Sequence, residues 1–318
     1  METLLIMLKN VIIFVLLAVP GYLLVRGKRL DSKESGTLSK MLTNVGMPFL
    51  ILSSTLKLEF SGEFTRSIIF VGVVGVLFTV AMFLLSSFAV RGESDPKRRG
   101  MMRFCMVFAN NGFIGIPLAR AVFGDASDVM AYLIILNIIT NVLMFTLGVY
   151  LISGDKNNIK VKKAVLNPVL IAFVIGIILN VAGVSRAVPE LQTYATYFSN
   201  IVTPLSMVVL GMKLADVELG RLLTSLRMYY VSAMRLVVFP ALGVALAYVL
   251  HRIPALGLSA DTVIGFFVAI AMPTAGLASA FSDQYKGDTE NAVIFTLGTT
   301  VLSVITIPVL YWVLRLVV

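Results

Sequence analysis

The chain has 318 residues, 58% of them hydrophobic and only 14% charged, with a formal net charge of +9 and a mean hydropathy of +0.95. Soluble domains carry about 25% charged residues, so composition excludes an ordinary soluble protein. One cysteine, Cys105, and one histidine, His251, leave no disulfide framework, no thiolate metal cluster and little acid–base chemistry. No cofactor and no nucleic-acid partner are expected.

Taken in chain order, apolar runs of roughly the 20 residues that cross a bilayer predict ten spans. They lie near 8–25, 38–56, 67–90, 102–122, 129–152, 167–184, 193–214, 225–250, 261–283 and 290–315. The first run, Val11–Val25, has no small-x-small cleavage pattern and reads as a membrane helix rather than a cleaved signal. The longest loops, 31–37, 91–101 and 153–166, are too short to hold a soluble domain. The expected fold is therefore an all-α polytopic membrane protein embedded in the lipid bilayer.

Basic residues orient the bundle. Alternate loops carry Arg26, Lys28, Arg29, Lys33 and Lys40, then Arg91, Lys97, Arg98, Arg99 and Arg103. The same side continues with Lys156, Lys160, Lys162 and Lys163, with Lys213, Arg221 and Arg227, and with Lys286. The opposite side holds seven: Lys9, Lys57, Arg66, Arg120, Arg186, Arg252 and Arg315. By the positive-inside rule both termini lie on the non-cytoplasmic side of the cell (inner) membrane, which requires an even number of spans.

An internal repeat is the next signal. Asn44, Pro48 and Lys57 in and after span 2 recur as Asn200, Pro204 and Lys213 in span 7, at a common offset of 156. Gly124-Asp125 after span 4 recurs as Gly287-Asp288 after span 9, at an offset of 163. Five spans separate the partners, so the halves have opposite orientations: an inverted repeat of helices 1–5 (residues 1–152) and helices 6–10 (167–318), joined by a cytoplasmic linker, 153–166.

Span 4 contains Asn110-Asn111-Gly112 and, further on, Gly115 and Pro117, all poor material for an uninterrupted membrane helix. Span 9, at the matching position, contains Pro273, Thr274 and Gly276. A break frees backbone groups that lipid cannot satisfy, so it must be buried in protein or line a cavity. Paired interruptions in the two halves point to a transporter's substrate site.

Asn110 and Asn111 read as neutral ligand contacts or as partners for backbone groups freed by the break. Gly112, Gly115 and Pro117 would open a half-helix whose N-terminus attracts an anion. Asn137, Thr140 and Asn141 fall on one face of span 5, facing substrate or a neighbouring helix. Asn44 and Asn200 precede prolines, as kinks or as site contacts. Thr299, Thr300 and Ser303 read as contacts between helices. Arg235 lies well inside span 8, for anion attraction and gating or as an anchor within snorkelling reach of the basic face. Asp283, at the end of span 9, could pair with it or bind a proton or cation.

The segment F-A-N-N-G-F-I-G-I-P-L-A-R-A-V-F-G-D (108–125) resembles the fourth helix of the auxin efflux carrier family, which includes plant PIN proteins and bacterial dicarboxylate permeases. L-N-P-V-L-I-A-F-V-I-G (166–176), T-P-L-S-M-V-V-L-G-M-K-L (203–214), R-L-V-V-F-P (235–240), A-M-P-T-A-G (271–276) and T-I-P-V-L (306–310) are similar to the same family, nearest its bacterial permease branch. The resemblance implies a five-plus-five inverted repeat, similar to bile-acid symporters, with broken helices 4 and 9 crossing at the membrane centre. It further implies a scaffold of helices 1, 2, 6 and 7, a moving part made of the rest, elevator-type transport of small organic anions, and a homodimer. Ala278 stands where plant members carry a second proline, span 3 (67–90) lacks the carboxylate some of them use, and no long cytoplasmic loop is present.

The function this supports is secondary transport of a malate- or malonate-like carboxylate or an auxin-like weak acid, with proton or sodium coupling as options. No G-x-x-x-x-G-K-[ST] nucleotide loop is present, so this chain does not drive itself with ATP. An intramembrane enzyme would need paired carboxylates or a histidine within the spans, and a channel would need a continuous polar lining. Both remain as alternatives.

Overall fold

The structure is a computed structural model. It describes residues 2–58, 62–124, 127–159, 162, 166–215 and 219–316. Asp125 of the second repeat pair and Lys160 and Lys163 of the central linker lie outside the described residues.

Every regular element among the described residues is helical. Helix α1 (Glu2–Arg26) is followed by α2 (Ser35–Met41), α3 (Met47–Thr55), α4 (Gly62–Ala89), α5 (Pro96–Val107), α6 (Ile116–Phe123), α7 (Asp128–Leu143) and α8 (Val149–Ser153). The second half holds α9 (Pro168–Val181), α10 (Val184–Ala187), α11 (Pro189–Ser199), α12 (Val202–Ala215), α13 (Leu219–Thr224), α14 (Leu226–Ala233) and α15 (Phe239–His251). It closes with α16 (Ala260–Ala271), α17 (Ala278–Tyr285) and α18 (Thr289–Leu314). Among the described residues, five helical stretches are long and apolar enough to cross a membrane: Phe64–Ala89, Asp128–Ser153, Pro189–Ala215, Leu226–His251 and Thr289–Leu314.

Local sequence fixes the starts of these helices. Asp95, Ser127, Asn167, Ser225, Ser259 and Asp288 each accept a hydrogen bond from a backbone N–H in the first turn that follows. These side chains satisfy donors that have no intrahelical acceptor. Pro96 and Pro168 sit at the first helical position, where a missing N–H is harmless.

Proline also explains most of the irregular turns. Four π-helical turns occur among the described residues, at Leu42–Gly46, Asn111–Gly115, Met144–Gly148 and Met234–Val238. Three of them end two residues before a proline: Pro48, Pro117 and Pro240. A proline cannot donate to the carbonyl four residues back. The residue before it donates five residues back instead, as Met47 does to Leu42, Ile116 to Asn111 and Phe239 to Met234. Such wide turns are frequent at functional sites.

The helices pack in two groups. In one, α1 lies along α12, and α3 is held between α9 and α11. The α1–α12 approach depends on two glycines: a Cβ on Gly21 would sit 2.0 Å from the Val208 carbonyl oxygen, and one on Gly211 would sit 1.9 Å from that of Ala18. Asn180 of α9 donates from Nδ2 to the carbonyls of Thr55 and Leu58, each at 2.8 Å, closing the end of α3. In the other group α7 packs on α4 and α16, α15 on α16, and α18 on α14 and α17. Here Gly265 of α16 sits against the ring of Tyr132. Ile69, Val73, Leu77, Leu84 and Phe88 of α4 face outward, an apolar surface suited to lipid and not to water.

Candidate functional site

Helix α5 stops at Val107 and helical structure resumes at Asn111; α16 stops at Ala271 and α17 starts at Ala278. Met272 is extended (φ −66, ψ 149), as the residue before a proline prefers to be. The two non-helical stretches run antiparallel and pair with each other. Asn110 N–H donates to the Pro273 carbonyl at 2.7 Å, and Ala275 N–H donates to that of Phe108 at 2.9 Å, on either side of the Ala109–Thr274 bridge. Backbone groups that the helices no longer satisfy are thus satisfied by one another.

Side chains lock the junction. Asn110 Oδ1 accepts from Phe113 N–H at 3.2 Å. Thr274 Oγ1 donates to the Cys105 carbonyl at 2.8 Å, and Thr274 N–H donates to Thr299 Oγ1 at 3.2 Å. Thr300 and Ser303 donate to carbonyls of their own helix, at Thr296 and Thr300.

Arg235 is the centre of this arrangement. It is 4% exposed, so it does not snorkel, and its partners are carbonyl oxygens. Nε donates to Met272 (2.9 Å), one terminal nitrogen to Ile270 (3.0 Å), and the other to Val107 (3.2 Å) and Met106 (3.3 Å). Met106, Val107 and Ile270 are among the last carbonyls of α5 and α16, which lack intrahelical donors and form the negative ends of both helix dipoles, and Met272 is the extended residue that follows α16. One guanidinium therefore joins both C-terminal ends. Asp283 is not its partner: it is exposed, and its carboxylate accepts from Thr289 Oγ1 at 2.7 Å.

The opposite, N-terminal ends border open space. A cleft of about 510 Å³ is lined by Asn110, Gly112, Asn137, Thr140, Asn141 and Gly276, among others. Asn141 Nδ2 donates to the carbonyl of Asn137 (2.8 Å) and to its Oδ1 (3.2 Å), while Asn137 Nδ2 is buried and has no protein acceptor. Gly112 lets Met47 pack close: a Cβ there would come 2.7 Å from Met47 Cε, the mobile end of that side chain. A second cleft of about 550 Å³ shares Asn110, Phe113 and Gly276 with the first and adds Ser206, Lys213 and Ser279.

Asn110, Gly112, Asn137, Asn141 and Gly276 are thus brought together. Other candidates are placed elsewhere. Asn44 is exposed and donates back to the Lys40 carbonyl at 2.8 Å, while its neighbour Thr43 lines the first cleft. Asn200 is exposed at the C-terminal end of α11. Pro117 is buried at the start of α6, and Pro273 and Thr274 act through the backbone pairing. Asn111 donates to Thr140 Oγ1 at 3.4 Å and borders a separate, smaller cleft with Arg235; its Oδ1 has no donor. Sequence reasoning missed Thr43, Asn167 and Lys213 as lining residues. For Lys213 a signal existed in its match to Lys57 in the repeat.

Apolar helices thus surround a polar cleft at the two places where helical structure is interrupted. The sequence profile of the membrane transport protein family (Mem_trans), the auxin efflux carriers, matches residues 5–311. The chain belongs to that family. It is 27% identical over 305 residues to an uncharacterized transporter of Methanothermobacter thermautotrophicus, with 94% of each chain covered.

Proposed function

We propose that this protein is a secondary transporter of a small organic anion, a malate- or malonate-like carboxylate or an auxin-like weak acid, held where the two interruptions meet. One observation carries the reading. Arg235 occupies both negative helix ends, so the cleft is left with the positive, N–H-bearing ends of the segments that start at Asn111 and Ala278. Anions are stabilised at such ends. Asn137 Nδ2 adds an unengaged donor.

On this reading the interruptions are the broken, crossing helices 4 and 9 of a five-plus-five inverted repeat. The α1, α3, α9, α11 and α12 group is the scaffold, and the group holding the junction moves against it as an elevator. Both termini face away from the cytoplasm, and scaffold helices pair in a homodimer. Among the described residues the buried carboxylate is Glu93, which is engaged by Arg98 (3.1 Å) and Arg227 (2.8 Å) in a loop. Among the described residues no carboxylate lines either cleft, so a coupling sodium ion would be held by neutral oxygens such as those of Thr140 and Ser206.

Counterflow of radiolabelled malate, malonate or indole acetate in proteoliposomes tests this. Saturable exchange is expected in wild type and its loss in the Asn110→Ala/Asn111→Ala double variant. Wild-type exchange in the double variant would remove these amides from the site.

A further inference from the structure

The first cleft is lined by neutral amides. The second holds a cation that the loop-charge reading of the sequence had assigned to the membrane surface. Lys213 lies in the last turn of α12, and its Nζ points across to the second interruption, 3.3 Å from Ser279 Oγ and 3.5 Å from the Gly276 carbonyl. Both contacts are longer than the usual 2.9–3.0 Å for a nitrogen donor. Among the described residues no carboxylate lies within ion-pair distance of it; the nearby Asp283 carboxylate is engaged by Thr289.

A second observation points the same way. Thr296 of α18 lines this cleft, is 8% exposed, and its Oγ1 is a buried hydroxyl without a partner. A lightly held ammonium and an idle hydroxyl border one space, and the N-terminal end of α17 adjoins Gly276. That set of donors matches a carboxylate: a cation, an O–H and backbone N–H groups, with the nearby Asp283 carboxylate outside ion-pair distance and engaged by Thr289.

We propose that Lys213 is the fixed cation of the substrate site and, with Thr296, takes the carboxylate of the transported anion. The substrate class is then a carboxylate bearing a further acceptor. Its charged end lies in the cleft of Lys213, and the acceptor reaches past Asn110 and Gly276 to the amide of Asn137. This rests on the transport reading above. It adds a specificity-determining residue that the interrupted helices alone do not supply.

Equilibrium binding of radiolabelled malonate and malate to the purified full-length protein tests it, with ligand-free melting temperatures measured in parallel. Lys213→Gln is expected to weaken binding at least tenfold and Thr296→Val about threefold. Lys213→Arg should stay within about threefold of wild type, and all three should melt near the wild-type temperature. Saturable binding that is unchanged in Lys213→Gln would overturn the assignment while leaving the transport reading intact. Equal losses in Lys213→Gln and Lys213→Arg with lowered melting temperatures would make Lys213 a structural brace and also overturn it. Absence of saturable carboxylate binding in wild type would overturn both.

Discussion

Replacing Arg235 with methionine keeps much of its volume and removes all the side-chain donors it offers to the two helix ends, while the Asn110–Pro273 and Ala275–Phe108 backbone bonds remain. Four bonds of 2.9–3.3 Å are lost at once. Single hydrogen bonds between membrane helices contribute about 0.6 kcal/mol on average and up to about 1.7, so four sum to about 2.4–7 kcal/mol. Removing the buried cation also removes its own desolvation penalty, which places the expected loss at about 2–4 kcal/mol. At about 2 °C per kcal/mol for a chain of this size, the Arg235→Met melting temperature should fall by about 4–8 °C. Lysine keeps the charge without the planar fork, so Arg235→Lys should fall in between. Thermal unfolding of the detergent-purified variants, read by tryptophan fluorescence at Trp312 and by light scattering, supplies the measurement. An Arg235→Met protein that melts within about 1 °C of wild type and exchanges substrate normally would refute the bracing role.

Three further outcomes follow from the packing and the loop charges. Gly211→Leu places side-chain carbon where the Ala18 carbonyl stands, whereas Gly220 has open space around it. Gly211→Leu should therefore abolish folded protein on size exclusion, and Gly220→Ala should leave the profile unchanged. Burial alone would raise the Glu93 carboxyl. The Asp95 N–H and the Arg227 and Arg98 guanidiniums outweigh it and hold the group below its ordinary 4.5. A depressed carboxyl adds stability that is present above the unfolded value and is lost as pH falls through the folded one. The melting-temperature gap between wild type and Glu93→Gln should thus be open at pH 7 and close as pH falls from 4.5 through the lower folded value. Asn180→Leu removes one donor from each of the Thr55 and Leu58 carbonyls, leaving Thr55 with the Leu58 N–H at 3.2 Å, and a loss of about 1–3 kcal/mol should appear in chemical unfolding.

Hydropathy placed the helices well because apolar length is a local property. Pro48, Pro117, Pro240 and Pro273 marked where backbone hydrogen bonding had to change, and each lies at or beside an irregular turn or an interruption. What the sequence hid were the partners. Arg235 reaches carbonyls 35 to 129 positions away, a distance no periodicity encodes. Asn44 lies in the turn beside the cleft but is exposed and donates back to Lys40. In the π-turn at Leu42–Gly46 it is Thr43 that lines the cleft. Lys213 was misjudged for a related reason: its place near a helix end suggested a surface charge, and only tertiary packing turns it inward. Nothing in the sequence sets Gly21 and Gly211 apart from other membrane glycines; the close backbone approach of α1 and α12 does.

The central claim is that a small carboxylate is held in the cleft between the interrupted helices. Scintillation-proximity binding of radiolabelled malonate and malate to purified wild type and to Asn137→Leu, which fills the amide end of the cleft and leaves both helix interruptions unaltered, tests it most directly. Saturable binding, competed by unlabelled carboxylate, is expected in wild type and at least tenfold weaker binding in Asn137→Leu. Equal affinity in the two proteins would contradict it.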